Sequence, residues 1–196
     1  MGRKIRCSHP RSESVLMIFT KTNLIGAFVI EIQKLEDERG FFARTFCQRE
    51  FQEHGLNPNL AQCNISYNKV KGTLRGMHFQ AAPHQEAKLV CCTQGAIHDV
   101  IIDIRPESST YLKHFAIELT ADAHNALYVP EGFAHGFLTT EPNTSVFYQM
   151  SEFHAPGYGR GFRWNDPAFS IEWQGDVNMI SERDANYRNF SEDLLK

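Results

Sequence analysis

Two short stretches of this chain hold histidines and cations in patterns that suit proton chemistry. In KGTLRGMHFQ (71–80) Arg75 lies three residues before His78, and in YVPEGFAHGF (128–137) a second histidine, His135, follows a strand-length run. An imidazole that faces a cavity is suited to general acid–base work or to hydrogen bonding near neutral pH. Lys88 sits in the apolar run EAKLVCC, where an inward-facing ammonium is costly without an anionic partner. Arg39, in DERGFF (37–42), enters a pair of aromatic residues from a turn. Guanidinium and ammonium groups beside an apolar cavity suit a phosphate or an enolate. Arg75 and His78 would project to opposite sides of an ideal strand. The sequence therefore predicts a twist or bulge between them, with Gly76 allowing close backbone approach.

The elements that must position these groups read as short strands broken by Gly, Pro, Asn and Asp. IHDVIIDI (97–104) puts His98, Val100, Ile102 and Ile104 on one face and Ile97, Asp99, Ile101 and Asp103 on the other. On this pattern His98 faces the barrel interior. Similar runs occur in LIGAFVIEI (24–32), HFAIEL (114–119), ALYV (126–129) and SVFYQM (145–150), a rhythm expected of a sandwich or barrel. Only RTFCQREFQEHG (44–55) reads as a helix within the body, with Phe46 and Phe51 inward and Gly55 as the stop. The polar tail from about residue 177 has room for one short helix, and Trp164 and Trp173 are expected to close the end of the barrel.

At 196 residues the length suits one domain with a buried core, here 17–196, preceded by a poorly ordered extension over 1–16. A net charge of −3 gives no argument for nucleic acid or an anionic membrane, and no apolar run reaches bilayer length. Cys7, Cys47, Cys63, Cys91 and Cys92 lack metal-ligand spacing, and read as free thiols of a reducing, cytoplasmic setting. Cys91 and Cys92, being adjacent, would point to opposite faces of a strand.

PEGFAH (130–135) fits the second sequence motif of the cupins, Pro-x-Gly-x-x-His, and Gly72 followed six residues later by His78 fits the start of the first. That first motif normally continues with a second histidine two residues on, where this chain has Gln80. Losing that ligand speaks against a His/carboxylate metal centre. The expectation is an all-β cupin jelly-roll barrel with a few short helices, no metal and no cofactor.

A lone Pro-x-Gly-x-x-His is weak evidence, but it stands here among seven blocks in a particular order. DERGFF, QCNIS (62–66), KGTLRGMHFQ, KLV (88–90), PEGFAHGF, VFYQM and WNDPAFSIEW (164–173) together resemble the dTDP-4-dehydrorhamnose 3,5-epimerase family over nearly all of residues 22–185. The resemblance implies an enzyme that inverts C3, C5 or both of a nucleoside-diphosphate-linked 4-keto-6-deoxyhexose through an enolate, in deoxysugar biosynthesis. It also implies a homodimer in which a segment of one subunit helps complete its partner's site. By the same resemblance His78 is the catalytic base, Asp184 the acid paired with it, and Tyr148 the group working from the other face of the sugar. Lys88 and His135 match the enolate-stabilising positions. Arg39, Gln62, Asn64, Arg75 and Arg183 match positions holding nucleotide, diphosphate or sugar, with Phe153 and His154 against the base.

Blander readings stand beside these. Tyr148 shares a strand face with Val146 and Met150, as a core residue would, and on spacing alone Asp184 is a solvated charge in a polar tail. The chain departs from the family pattern at Arg44, where thymidine enzymes carry a glutamate, and at His154, where a tyrosine is more frequent. Both departures touch nucleotide recognition, leaving a cytidine- or guanosine-linked sugar as an alternative. The rivals from other classes are a metal-dependent cupin oxygenase and a non-catalytic sugar-nucleotide binding module.

Overall fold

Alternating apolar runs become strands, and the punctuating residues become the turns between them. The computed structural model of the protein describes residues 16–196, so all but the end of the 1–16 extension lies outside the described residues. The first half runs β1 (Met17–Lys21), β2 (Phe28–Ile32), β3 (Leu35–Asp37), β4 (Gly40–Phe42), α1 (Gln48–Glu53), β5 (Gln62–Asn68), β6 (Thr73–Gln80) and β7 (Lys88–Gln94). The second half runs β8 (Ala96–Asp103), β9 (His114–Thr120), β10 (Ala126–Val129), β11 (Phe133–Thr139), β12 (Thr144–Met150), β13 (Gly159–Gly161), β14 (Met179–Ile180), α2 (Glu182–Ala185) and a 3₁₀ turn (Glu192–Leu195).

One sheet has the order β1-β2-β10-β7-β12-β5, the other β13-β6-β11-β8-β9 with β14 beside β6, and β3 and β4 form a separate hairpin. Two packed sheets, antiparallel except where β14 runs parallel to β6, make the jelly-roll sandwich expected of a cupin. Between them lies a core built from Val90, Ile97, Ile101, Leu119, Leu127 and Val146, all fully buried.

Every residue of β8 is buried because both of its faces are covered. Ile97 and Ile101 enter the core between the sheets. Val100, Ile102 and Ile104 face the other way, against Phe162 and Phe169 of the C-terminal segment, with Trp173 packed alongside. This corrects two expectations. His98 belongs to that outer face, its ring 5.8 Å from Trp173, and Asp99 is the residue on the inward side. Trp173 packs on the outer face of the second sheet instead of closing an end, and Trp164 lies beside it, with Trp173 Nε1 donating to Trp164 O at 3.1 Å. The alternation read the strand correctly but could not say that both sides would be covered. Ile101→Ala, which empties the centre of the inner core, should cost about 2–5 kcal/mol. The melting temperature, followed by circular dichroism, should fall by roughly 4–20 °C.

The helix α1 covers the outer face of the first sheet through Phe51, which is buried with Phe28, Leu89 and Tyr128. It ends where expected. Gly55 takes φ +71°, Gly55 N donates to Gln52 O, and Leu56 N donates to Phe51 O, closing a Schellman motif. Cys91 and Cys92 do face opposite sides, Cys92 in the inner core and Cys91 against the α1 cluster, and the four described cysteines are free thiols.

Candidate active site

The pairing of β6 with β11 puts His78 directly opposite His135, yet Arg75 opposite Phe137. β6 thus spends one residue more than β11 over the same span, which is the bulge required to bring Arg75 and His78 to one side. Gly76 sits at φ +136°, and a Cβ there would lie 2.5 Å from the Cα of Gly136 on β11. The two backbones meet because neither residue has a side chain. Arg75 and His78 consequently line one cavity of about 670 Å³, within the range of small-molecule sites. Buried Asn68 holds Arg75 in place, its Oδ1 accepting from Arg75 Nε at 2.8 Å.

Asp184 reaches this wall from far along the chain. It lies on α2, whose N-cap Ser181 accepts from Asp184 N through its side chain. His78 Nε2 lies 2.8 Å from Asp184 Oδ1, while Gly76 N donates to Asp184 Oδ2 at 3.3 Å. Burial works to raise the pKa of Asp184, but the bonds from His78, Gly76 N and Ser181 together outweigh it and hold the carboxyl below its ordinary value. The ionised carboxylate can only accept, so His78 Nε2–H is the donor and Nδ1 is the basic nitrogen. Asp184 is buried, whereas the His78 side chain is 40% exposed, so the imidazole meets the cavity and its carboxylate partner does not.

The opposite wall comes from the other sheet. Tyr148 on β12 pairs with Asn64 on β5, and both line the cavity with Gln62. Tyr148 packs against the inner core, as a core residue would, and also lines the cavity. Lys88 opens β7 and does face inward, and its anionic partner is Glu86, with Nζ to Oε1 at 2.9 Å. Both side chains are nearly buried, and Glu86 Oε2 has no hydrogen-bond partner. His135 carries its own acid, with Nε2 2.7 Å from Oδ1 of the fully buried Asp99. His78 and His135 are thus cross-strand neighbours, each backed by a carboxyl group.

Gln62, Asn64, Arg75, His78, Lys88, His135, Tyr148, His154 and Arg183 are brought together around this one cavity. Arg39 and Phe153 are not part of its lining. Arg39 lies exposed on the β3–β4 hairpin, paired with Asp37, and Phe153 is exposed beside the lining residue His154. Arg44 bonds buried Glu50 at 2.8 Å, and Glu50, on α1, also accepts from Met17 N and so ties β1 to α1. Gln80, at the place of the missing cupin histidine, spends its carboxamide on backbone groups: Nε2 donates to the carbonyls of His84 and Phe153, and Oε1 accepts from Ala155 N. Among the described residues no group of three or more His, Cys, Asp or Glu could hold a metal ion.

Asp99 and Glu86 are the site residues that sequence reasoning passed over. The signal for Asp99 was its place between Ile97 and Ile101 on one strand face, because a carboxylate flanked by core isoleucines must be paired. The signal for Glu86 was its position two residues before Lys88, which puts both on one face of an extended segment.

Comparison with known proteins gives this geometry its context. The family model described as dTDP-4-dehydrorhamnose 3,5-epimerase matches residues 21–192. The dTDP-4-dehydrorhamnose 3,5-epimerase of Methanothermobacter thermautotrophicus is 41% identical over 177 residues, 89% of this chain and 95% of its own length. Crystal structures of dTDP-4-dehydrorhamnose 3,5-epimerases are also similar. That from Elizabethkingia anophelis has TM-score 0.84 and 39% identity, covering 89% of this chain and 96% of its own. That from Bacillus anthracis, with TDP and PPi bound, has TM-score 0.86 and 36% identity, covering 89% and 100%. Sequence blocks, sheet order and relatives agree, and the chain belongs to the dTDP-4-dehydrorhamnose 3,5-epimerase family.

Proposed function

We propose that this protein epimerises a nucleoside-diphosphate-linked 4-keto-6-deoxyhexose at C3, C5 or both, with His78 as base and Tyr148 as the proton donor on the other face. The observation that carries this reading is the placing of His78 and Tyr148 on opposite sheets around one cavity. A C4 ketone acidifies the C3 and C5 hydrogens. When His78 takes such a proton, the C–H electron pair becomes the C=C of an enolate and charge moves to the C4 oxygen. Return of a proton to the same carbon from the Tyr148 side gives the inverted centre. Lys88 and His135 are the groups suited to the developing oxyanion, and preorganised donors of this kind are worth most in a partly dry cavity. Arg75, Arg183, Gln62 and Asn64 would hold sugar and diphosphate, and the 4-keto function needs no cofactor to acidify its neighbours.

For the nucleotide, the bond from Arg44 to Glu50 supports a structural role for that arginine, and the base is left open among thymidine, cytidine and guanosine. Titration with dTDP, CDP, GDP and UDP would rank the bases. We also take the protein to act as a homodimer in which Arg39 serves the partner's cavity. Exposed Phe41 and Phe42 beside it on the hairpin support this, and sizing of the protein by analytical ultracentrifugation tests it.

Product analysis by NMR tests the reading of the reaction. Wild-type protein should invert C3, C5 or both. Tyr148→Phe should still let protons leave and return on the His78 side, with net inversion reduced on the order of 10²-fold or more. Equal loss of exchange and inversion would contradict the assignment of Tyr148. Binding of the nucleotide sugar with neither exchange nor inversion would favour a binding module.

A further inference from the structure

Two glutamines from opposite sheets grip one short segment at the mouth of the cavity. Gln80, on β6, is only 5% exposed. Its Nε2 donates to His84 O at 2.9 Å and to Phe153 O at 3.2 Å, and its Oε1 accepts from Ala155 N at 2.7 Å. Gln62, on β5, accepts through Oε1 from His154 N. Phe153 O, His154 N and Ala155 N are therefore all held, by side chains that belong to different sheets. The segment they hold links β12, which carries Tyr148, to β13.

We infer that Gln62 and Gln80 form a clamp that sets residues 153–155 against the incoming nucleotide, so that Gln80 is a positioning residue for nucleotide binding. This rests on the epimerase reading, in which Phe153 and His154 meet the base. A carboxamide suits the task because Gln80 must offer a donor to two carbonyls and an acceptor to an N–H at once. A carboxylate of the same size meets the N–H but turns an oxygen toward both carbonyls. The clamp also gives Gln80 an occupation unrelated to the metal ligand found at its place in other cupins. Because the gripped groups are backbone, the side chains of Phe153 and His154 are left to face a ligand.

Gln80→Glu and Gln80→Ala, checked for folding by circular dichroism, test the clamp. Amide hydrogen exchange of the substrate-free protein should show His154 and Ala155 exchanging about tenfold faster or more in both variants. KM for the nucleotide sugar should rise about tenfold, with most of the loss in kcat/KM falling on KM. The isosteric Gln80→Glu variant separates the clamp from simple packing, since a packing role would leave it near wild type. Phe153→Ala, at an exposed ring, completes a double-mutant cycle in which the KM effects should be non-additive. Unchanged amide protection, a loss confined to kcat, or strictly additive KM effects would overturn the clamp. Should wild type turn over no nucleotide sugar while both variants still loosen the His154 and Ala155 amides, the epimerase reading fails and the grip on the segment stands.

Discussion

His78→Asn is expected to lower the rate of proton exchange at the sugar carbons by about 10²–10⁴-fold while leaving the fold intact. The asparagine amide takes the place of Nδ1 and falls short of Asp184, but Gly76 N still donates to that carboxylate and the Ser181 cap still holds α2 against β6. What disappears is the basic nitrogen. His78 is well exposed to the cavity, so its shortening leaves no large void in the core, and the melting temperature should move by only a few degrees. The KM should change far less than kcat, because Arg75, Arg183 and the walls that hold the rest of the ligand are untouched. Single-turnover rates measured alongside a thermal melt would separate this outcome from general damage. A variant that melts like wild type and still exchanges at a wild-type rate would remove His78 from the role of base.

Gly76→Ala should be damaging in a different way, to stability and site together. The residue sits at φ +136°, where an L side chain is strained by about 1–3 kcal/mol. The added Cβ would also lie 2.5 Å from the Cα of Gly136, a backbone atom that cannot rotate aside. The strands must separate or the bulge must slide. Either change breaks the register that sets His78 opposite His135 and turns Arg75 into the same cavity, and it disturbs the bond from Gly76 N to Asp184. A loss of about 3–5 kcal/mol corresponds to roughly 6–20 °C in the melting temperature for a domain of this size. Activity in the surviving folded fraction should fall as well, since a displacement near 1 Å at a catalytic group costs on the order of 10²-fold. Thermal melts and activity per folded molecule measure the two parts. A variant with normal stability and activity would show that the bulge is not what aims His78.

The bulge was legible in the sequence because two residues three apart were both needed at one ligand, and an ideal strand forbids that. The strands were legible too, since alternation of side chains follows from the pleat, and the glycine stop of α1 followed from its conformational freedom. His98 shows where the reading ran out. Period-2 alternation sorts residues onto two faces but does not say which face meets the cavity when both are covered, and here the C-terminal segment covers the outer one. The Asp184 contact spans 106 residues, so no local spacing could show it, and only the resemblance to a family pointed there. Asp99 could have been found, because an acid between two core isoleucines demands a partner and His135 was already in hand. Arg39 and Phe153 came with the family pattern, and the single chain leaves both outside the cavity lining.

The chemistry proposed for this cavity is the removal and return of protons next to a C4 ketone. Incubation of the protein with a nucleoside-diphosphate-linked 4-keto-6-deoxyhexose in heavy water tests it, with mass spectrometry and NMR locating the label. Deuterium is expected at C3, C5 or both in the presence of wild-type protein, and almost none with His78→Asn. Absence of deuterium at both carbons with the thymidine, cytidine, guanosine and uridine forms of the sugar would contradict that chemistry.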